Sequence, residues 1–328
     1  MRMTATAWIV LYLLALPPFA VVSDLGLLGA VFAVLLGLAG LWWRRLAPLL
    51  RPPRGPEFRL ETISASHYVE KVRWCLDRLG VAYEEVADAG ALGVFTSGRT
   101  VPRLRIRTGS VISSIGNSPD ILRYLWGRFG PIEPRAAFLE PSEEALALER
   151  QLDGYGLDLQ RWVYHHILPD RSLTLHLWGA HDPGLPGWQR WLERALFPLL
   201  RVMIRRAFRL SAGAHGRVLD NIESCLQRME QRLEDGRDTL LGGAETSFVD
   251  ITFAALSGLW LNPPEYGGGR AEGVRAEIGS FPAAMLEDRQ RWIDDYPRVS
   301  ALVERLYREE RIAAAPEAGS SASVEPAG

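Results

Sequence analysis

Two uncharged runs at the N-terminus constrain this chain before anything else does. Thr4 to Val22 carries no charge, and after Ser23-Asp24 a second run extends from Leu25 to Trp43. Each is long enough to cross a hydrocarbon core of roughly 30 Å. Trp42-Trp43 followed by Arg44-Arg45 reads as an interfacial aromatic belt with a positive flank, which Arg51 and Arg54 continue. Arg2 precedes the first run, and the connector holds no positive charge. Basic residues favour the cytoplasmic side, so the pattern predicts a transmembrane helical hairpin, about 4–22 and 25–43, with both ends in the cytoplasm. Gly29, Ala33 and Gly37, four apart, would let two helices approach closely. Two other readings of the first run stay open. It could be a signal peptide, although no convincing small-x-small cleavage site follows Pro17-Pro18. Those prolines could also break it, leaving one span and an interfacial piece. Pro48, Pro52, Pro53 and Pro56 then form a stiff linker, so the anchor and linker cover 1–56.

The remaining length suits two folded domains. A net charge of −2 argues against a nucleic-acid partner, which calls for a basic field. Cys75 and Cys225 are the only cysteines. They lie far apart inside helical patterns, which excludes a disulfide framework and a cysteine metal motif and suits a reducing compartment.

Residues 57–130 read as a mixed α+β domain. Phe58 to Ile63 is strand-like, and a helix opens after Ser66 with Val69, Val72, Leu76 and Leu79 at helical spacing and Gly80 as its stop. Ser66 at this corner has two readings. It is an N-cap, or it marks an anion site built on the free N–H groups of the helix start. Val81 to Val86 is a second strand. Leu104-Arg105-Ile106 and Val111-Ile112 alternate around Thr108-Gly109 as a hairpin. Asn117-Ser118-Pro119-Asp120 opens another helix, with Ser118 expected as N-cap and Pro119 as the first helical residue.

In these motifs the domain resembles the thioredoxin-like N-terminal domain of the glutathione transferase family. Ser66-His67-Tyr68-Val69-Glu70-Lys71-Val72-Arg73 resembles the active-site run of that family. Val101-Pro102 resembles its Val-Pro pair, whose proline is cis and whose valine backbone bonds the cysteinyl part of glutathione. Asn117 to Leu125 resembles the segment that holds the γ-glutamyl end. The resemblance implies Ser66 as the catalytic donor to the thiolate, with Ser64 as the runner-up. It implies Val101, Pro102, Asn117 and Ser118 as glutathione-binding residues. Asn117 departs from the acidic residue expected there and cannot pair with an ammonium group. His67 stands where many relatives have proline and is expected to be exposed. Val69 occupies the second position of a Cys-x-x-Cys pair, so dithiol chemistry is not expected.

Residues 131–311 read as an all-helical domain. Ser142-Glu143-Glu144 opens one helix, and Leu219 to Leu233 carries a clean apolar stripe in another. Ser247 and Asp250 form a capping box ahead of an apolar helix from Ile251 to Trp260, as in the family's C-terminal domain. Trp191 to Leu210 is apolar and rich in Arg. It is either a membrane-surface helix or a domain helix with a solvated Arg face; the second is expected, with Pro198 breaking the pattern. His165-His166 has no Cys or carboxylate partner at a suitable spacing, so no metal is expected. Tyr155, Trp162, Trp260 and Tyr266 are candidates for an electrophile pocket, although each is as readily a core residue. Residues 312–328, rich in Ala, Ser and Pro, are expected to be disordered.

The combined expectation is a membrane-anchored glutathione transferase-like protein of bacterial type. It would sit in the inner membrane with its soluble domains in the cytoplasm and serve detoxification. Glutathione would be co-substrate, with no other cofactor. A hydrophobic electrophile and membrane lipid would be its partners, and the family's habit implies a homodimer. The competing expectation is a non-catalytic interaction module of the same fold at a membrane.

Overall fold

The structure, a computed structural model, describes residues 26–46, 57–90, 101–109 and 111–311. The first expected span, the proline linker and the C-terminal tail lie outside the described residues. The chain divides into two compact units, residues 1–57 with 106–113, and residues 58–105 with 114–328.

In the first unit, helix α1 runs Gly26–Leu46. Its small residues Ala30, Ala33 and Gly37 are buried. Leu27, Leu28, Val31, Phe32, Leu35 and Leu36 stand exposed. Among the described residues, no helix is long and apolar enough to cross a membrane, so the expected two-span hairpin is not supported.

The sheet opens on strand β1, Glu57–Thr62, in which Phe58, Leu60 and Thr62 turn inward by the period of two. Helix α2, His67–Leu79, buries Val69, Val72, Leu76 and Leu79 as the spacing predicts. It ends at Gly80, whose φ of 68° is the left-handed cap that only glycine adopts without cost. Strand β2, Tyr83–Ala87, pairs in parallel with β1, Phe58 opposite Tyr83. Strands β3, Arg103–Thr108, and β4, Val111–Gly116, follow, and the sheet order is β2-β1-β3-β4.

Helix α3, Ser118–Phe129, starts one residue earlier than the sequence predicts. Asn117 is the N-cap, at φ 72°, and Ser118 is already helical. Asparagine is among the few side chains that tolerate a positive φ, which is why the corner falls on it.

The rest is helical, an α+β sheet domain being followed by a helical one. Helices α4, Glu143–Ile167, α5, Arg171–Leu177, and α6, Gly187–Ala207, come first. Then come α7, Ala212–Arg232, α8, Phe248–Leu261, α9, Ala283–Asp295, and α10, Pro297–Glu310. Pro198 does not break α6, which continues through it. Helix α8 is apolar all round, which only a central position satisfies. It packs against α2, α4 and α10, and so joins the sheet domain to the helices. Its capping box is present: Asp250 accepts from the Ser247 amide at 2.9 Å and, through its other oxygen, from the Leu240 amide at 2.7 Å.

Candidate functional site

Ser66 caps α2 in extended conformation, φ −75° and ψ 124°, yet its hydroxyl makes no capping bond. The hydroxyl of a half-buried serine at a helix N-terminus is therefore uncommitted. The backbone around it is fixed instead. The Ser66 amide donates to the Ile63 carbonyl at 2.9 Å, and Tyr266, from the helical part, donates its hydroxyl to the Ala65 carbonyl at 3.1 Å.

A buried ionic network holds α2 beneath this corner. Arg73 donates through Nε to Glu85 on β2 at 3.0 Å and through a terminal nitrogen to the Ser64 carbonyl at 3.0 Å. Burial works against the Glu85 carboxylate, but the Arg73 guanidinium outweighs it and holds the group below its ordinary pKa. Glu70 and Asp77, on α2, receive Arg311 at 2.7 and 2.9 Å. Lys71 and Arg73, which the motif places beside the active serine, thus serve the packing of α2 and do not face the cavity described next.

That cavity, about 680 Å³, lies where the Ile63–Tyr68 corner meets the helices. This volume falls within the range of small-molecule sites. Ser66, Tyr68 and Val101 form one wall; Tyr164, Trp178 and Phe208 are among the apolar residues opposite. Gln160, Asn262 and Arg275 are its polar exceptions. The Val101–Pro102 bond is cis, as the motif implies, and Pro102 is buried. Ser64, the runner-up donor, is buried and is not part of the wall.

Two expected glutathione residues lie apart from this wall. Asn117 and Ser118 stand at the start of α3. Asn117 is spent partly on a long contact to Asp120, 3.4 Å. Ser118 is 1% exposed, and its hydroxyl has no hydrogen-bond partner.

His67 is not exposed. It is buried, and its Nε2 lies 3.1 Å from the Gly156 carbonyl, to which it must donate because a carbonyl only accepts. Burial pushes its pKa down to about 4, so the imidazole is neutral and lends Ser66 no positive charge. The burial comes from α4, where a Cβ at Gly156 would meet the Tyr68 hydroxyl at 2.8 Å. Tyr68 itself donates to the Asp153 carbonyl at 3.3 Å, and burial raises its phenol further above neutrality.

Of the candidate pocket aromatics, Tyr266 lines the cavity. Tyr155, Trp162 and Trp260 are core: Trp260 donates to the Tyr155 hydroxyl at 3.0 Å, and Trp162 to Asp288 at 2.8 Å. Tyr68, Tyr164, Trp178 and Phe208 were missed. Tyr68 alone left a signal, two residues after Ser66 on the same helix start. Cys75 and Cys225 are both buried and free.

No family model and no curated protein matches the chain. Solved structures similar to it include a glutathione S-transferase from Methylobacterium radiotolerans in complex with glutathione sulfonate. It has a TM-score of 0.46 at 19% identity and covers 79% of this chain and 97% of its own. Another is a glutathione S-transferase from Methylobacillus flagellatus with glutathione bound, at 0.46 and 17%, covering 78% and 97%. A third is a maleylacetoacetate isomerase from Anaeromyxobacter dehalogenans with glutathione bound, at 0.39 and 18%, covering 77% and 90%.

Proposed function

We propose that this protein binds glutathione at the α2 corner and conjugates its thiolate to a hydrophobic electrophile held in the adjoining cavity. The observation that carries the reading is Ser66: an uncommitted hydroxyl at a helix N-terminus, opening on an apolar cavity of about 680 Å³. A free thiol has a pKa of about 8.5. A hydrogen bond to a charged group contributes roughly 1.5–3 kcal/mol, and one pKa unit corresponds to about 1.4 kcal/mol. One such donor therefore brings a bound thiol near neutrality, and the helix N-terminus adds to it. Ser66 would stabilise the thiolate and form no bond to carbon. The Val101 backbone would hold the cysteinyl part. Ser118, whose hydroxyl has no partner in the fold, would receive the γ-glutamyl end together with Asn117. The electrophile's carbon gains the sulfur, and its leaving group or the added proton completes the balance.

Lipid contact belongs to the same reading. The exposed leucines of α1, and the exposed Trp188 and Trp191 beside the arginines of α6, are surfaces that water does not favour. A hydrophobic electrophile concentrated in lipid would reach an enzyme attached there.

Calorimetric titration of glutathione into the full chain in detergent tests the reading. Binding at micromolar to low millimolar strength that weakens in Ser118→Ala is the expected result. No heat at several millimolar, from a sample folded by circular dichroism, would favour the interaction module, to which Asn117 in place of a carboxylate already lends some weight.

A further inference from the structure

The helical part gathers three of the chain's six histidines at one point, far from Ser66 in sequence. His165 and His166 close α4, His215 stands in the first turn of α7, and Asp288 projects from α9. The adjacent pair has no ligand partner by spacing; the fold supplies both a third imidazole and a carboxylate. One ligand atom from each of His166, His215 and Asp288 lies within 4.8 Å of the other two. We propose that His166, His215 and Asp288 bind a divalent first-row transition-metal ion, Zn²⁺ by the chemistry of the donor set.

Three observations carry this. First, His166 Nε2 is buried without a hydrogen-bond partner, its side chain 7% exposed. It stands 3.5 Å from Asp288 Oδ2, too long for a good hydrogen bond. An unpaired buried nitrogen is costly, and native folds rarely keep one without a purpose. In a tetrahedral zinc site with bonds of about 2.0–2.2 Å, neighbouring ligand atoms lie about 3.3–3.5 Å apart. The His166–Asp288 pair already has that spacing.

Second, the outer shell is built. Trp162 Nε1 donates to Asp288 Oδ2 at 2.8 Å and Arg291 to Oδ1 at 2.9 Å, which fixes the carboxylate and leaves a lone pair on Oδ2. The His165 ring stacks on His215 at 3.7 Å with 9° between planes, which fixes that imidazole. Such partners orient ligands in metal sites generally.

Third, His215 also lines a cavity of about 300 Å³ with Asp158, Arg161 and Ser211, which gives an ion a route to that imidazole. Arg291 on Oδ1 and Arg161 on the cavity wall beside His215 oppose a cation, which lowers the affinity below that of a fully anionic site.

Titration of the untagged full chain with Co²⁺, read by its ligand-field absorption, and then displacement by Zn²⁺ against a chromophoric chelator test this without any turnover. One equivalent at micromolar strength is expected, with a loss of roughly tenfold or more in His215→Ala. Asp288→Asn, which keeps the carboxylate's shape for Trp162, should lose as much if the first variant unfolds. No Co²⁺ spectrum and no competition for Zn²⁺, or binding unchanged in a folded variant, would overturn the site. Because metal binding is read alone, its failure leaves the glutathione reading untouched.

Discussion

Lys71 donates from Nζ to Glu149 Oε1 at 2.7 Å across the junction of α2 and α4, and both side chains are buried. It is the only lysine among 37 basic residues. A buried pair gains little over an apolar pair of equal volume, but removing one partner strands a charge at about 3–5 kcal/mol. Arg123, 3.5 Å from the other oxygen of Glu149, softens that loss. Lys71→Met should therefore cost about 3 kcal/mol in urea unfolding. Lys71→Met with Glu149→Leu should restore most of it. Equal instability of the single and double variants would show that the pair is not coupled.

Ser66→Ala removes the uncommitted hydroxyl at the α2 end of the cavity wall. The bound thiol should then titrate roughly 1–2 units higher, the equivalent of one charged hydrogen bond. Ultraviolet absorbance of the thiolate, followed against pH with saturating glutathione, measures the shift directly. Conjugation at neutral pH should fall about 10-fold or more while glutathione affinity changes little. An unchanged thiol titration would remove Ser66 from the mechanism.

His67 makes stability depend on pH. Its folded pKa, about 4, lies below the ordinary 6.5, so between those values the unfolded chain binds the extra proton. The contribution is complete above pH 6.5 and is lost as pH falls toward 4. The full shift corresponds to roughly 3 kcal/mol, of which about 2 is gone by pH 5. Wild type should therefore lose more thermal stability between pH 7 and pH 5 than His67→Gln does. Parallel losses in the two proteins would mean that the carboxylates alone account for the acid sensitivity.

These residues mark the boundary of what the chain reveals before folding. Ser66, Val101-Pro102 and the Ser247–Asp250 box are local chemistry, a hydroxyl or a ring within a few residues of a helix or strand end, so their positions could be read directly. His67 could not, because its burial comes from Gly156 on α4, 89 residues away. The cavity's aromatics share that difficulty. Tyr155 and Trp260 look as suited to a pocket as Tyr164 and Trp178, and only the packing of α4 against α8 turns the first pair into core. Helix α3 starts one residue before the predicted position because Ser, Asn and Pro each suit several cap positions, and the backbone there, Asn117 at φ 72°, decides among them. The histidine cluster joins three helices and leaves no spacing to read.

Helix α6 presents the last test. Trp188, Trp191, Leu199 and Val202 follow one another at steps of three, eight and three residues, which keeps them on one side of the helix, and stand 47, 64, 55 and 46% exposed. Glu193, its single acidic residue, is buried, whereas Arg194, Arg205 and Arg206 are exposed. An apolar stripe flanked only by positive charge suits an anionic lipid surface, where tryptophan is at home and each arginine contributes about 1 kcal/mol. A second copy of α6 would bring arginine against arginine and is a poorer partner for the same stripe. A truncated chain beginning at Glu57 should therefore co-float with vesicles containing phosphatidylserine, release them as salt rises, and ignore purely zwitterionic ones. Arg205→Glu with Arg206→Glu should weaken that partition by about 30-fold or more, the loss of two such contacts. Trp188→Ser with Trp191→Ser should weaken it even at low salt. If the truncated chain ignores anionic vesicles at low salt, the stripe is only a solvated face, and lipid contact would rest on the first unit alone.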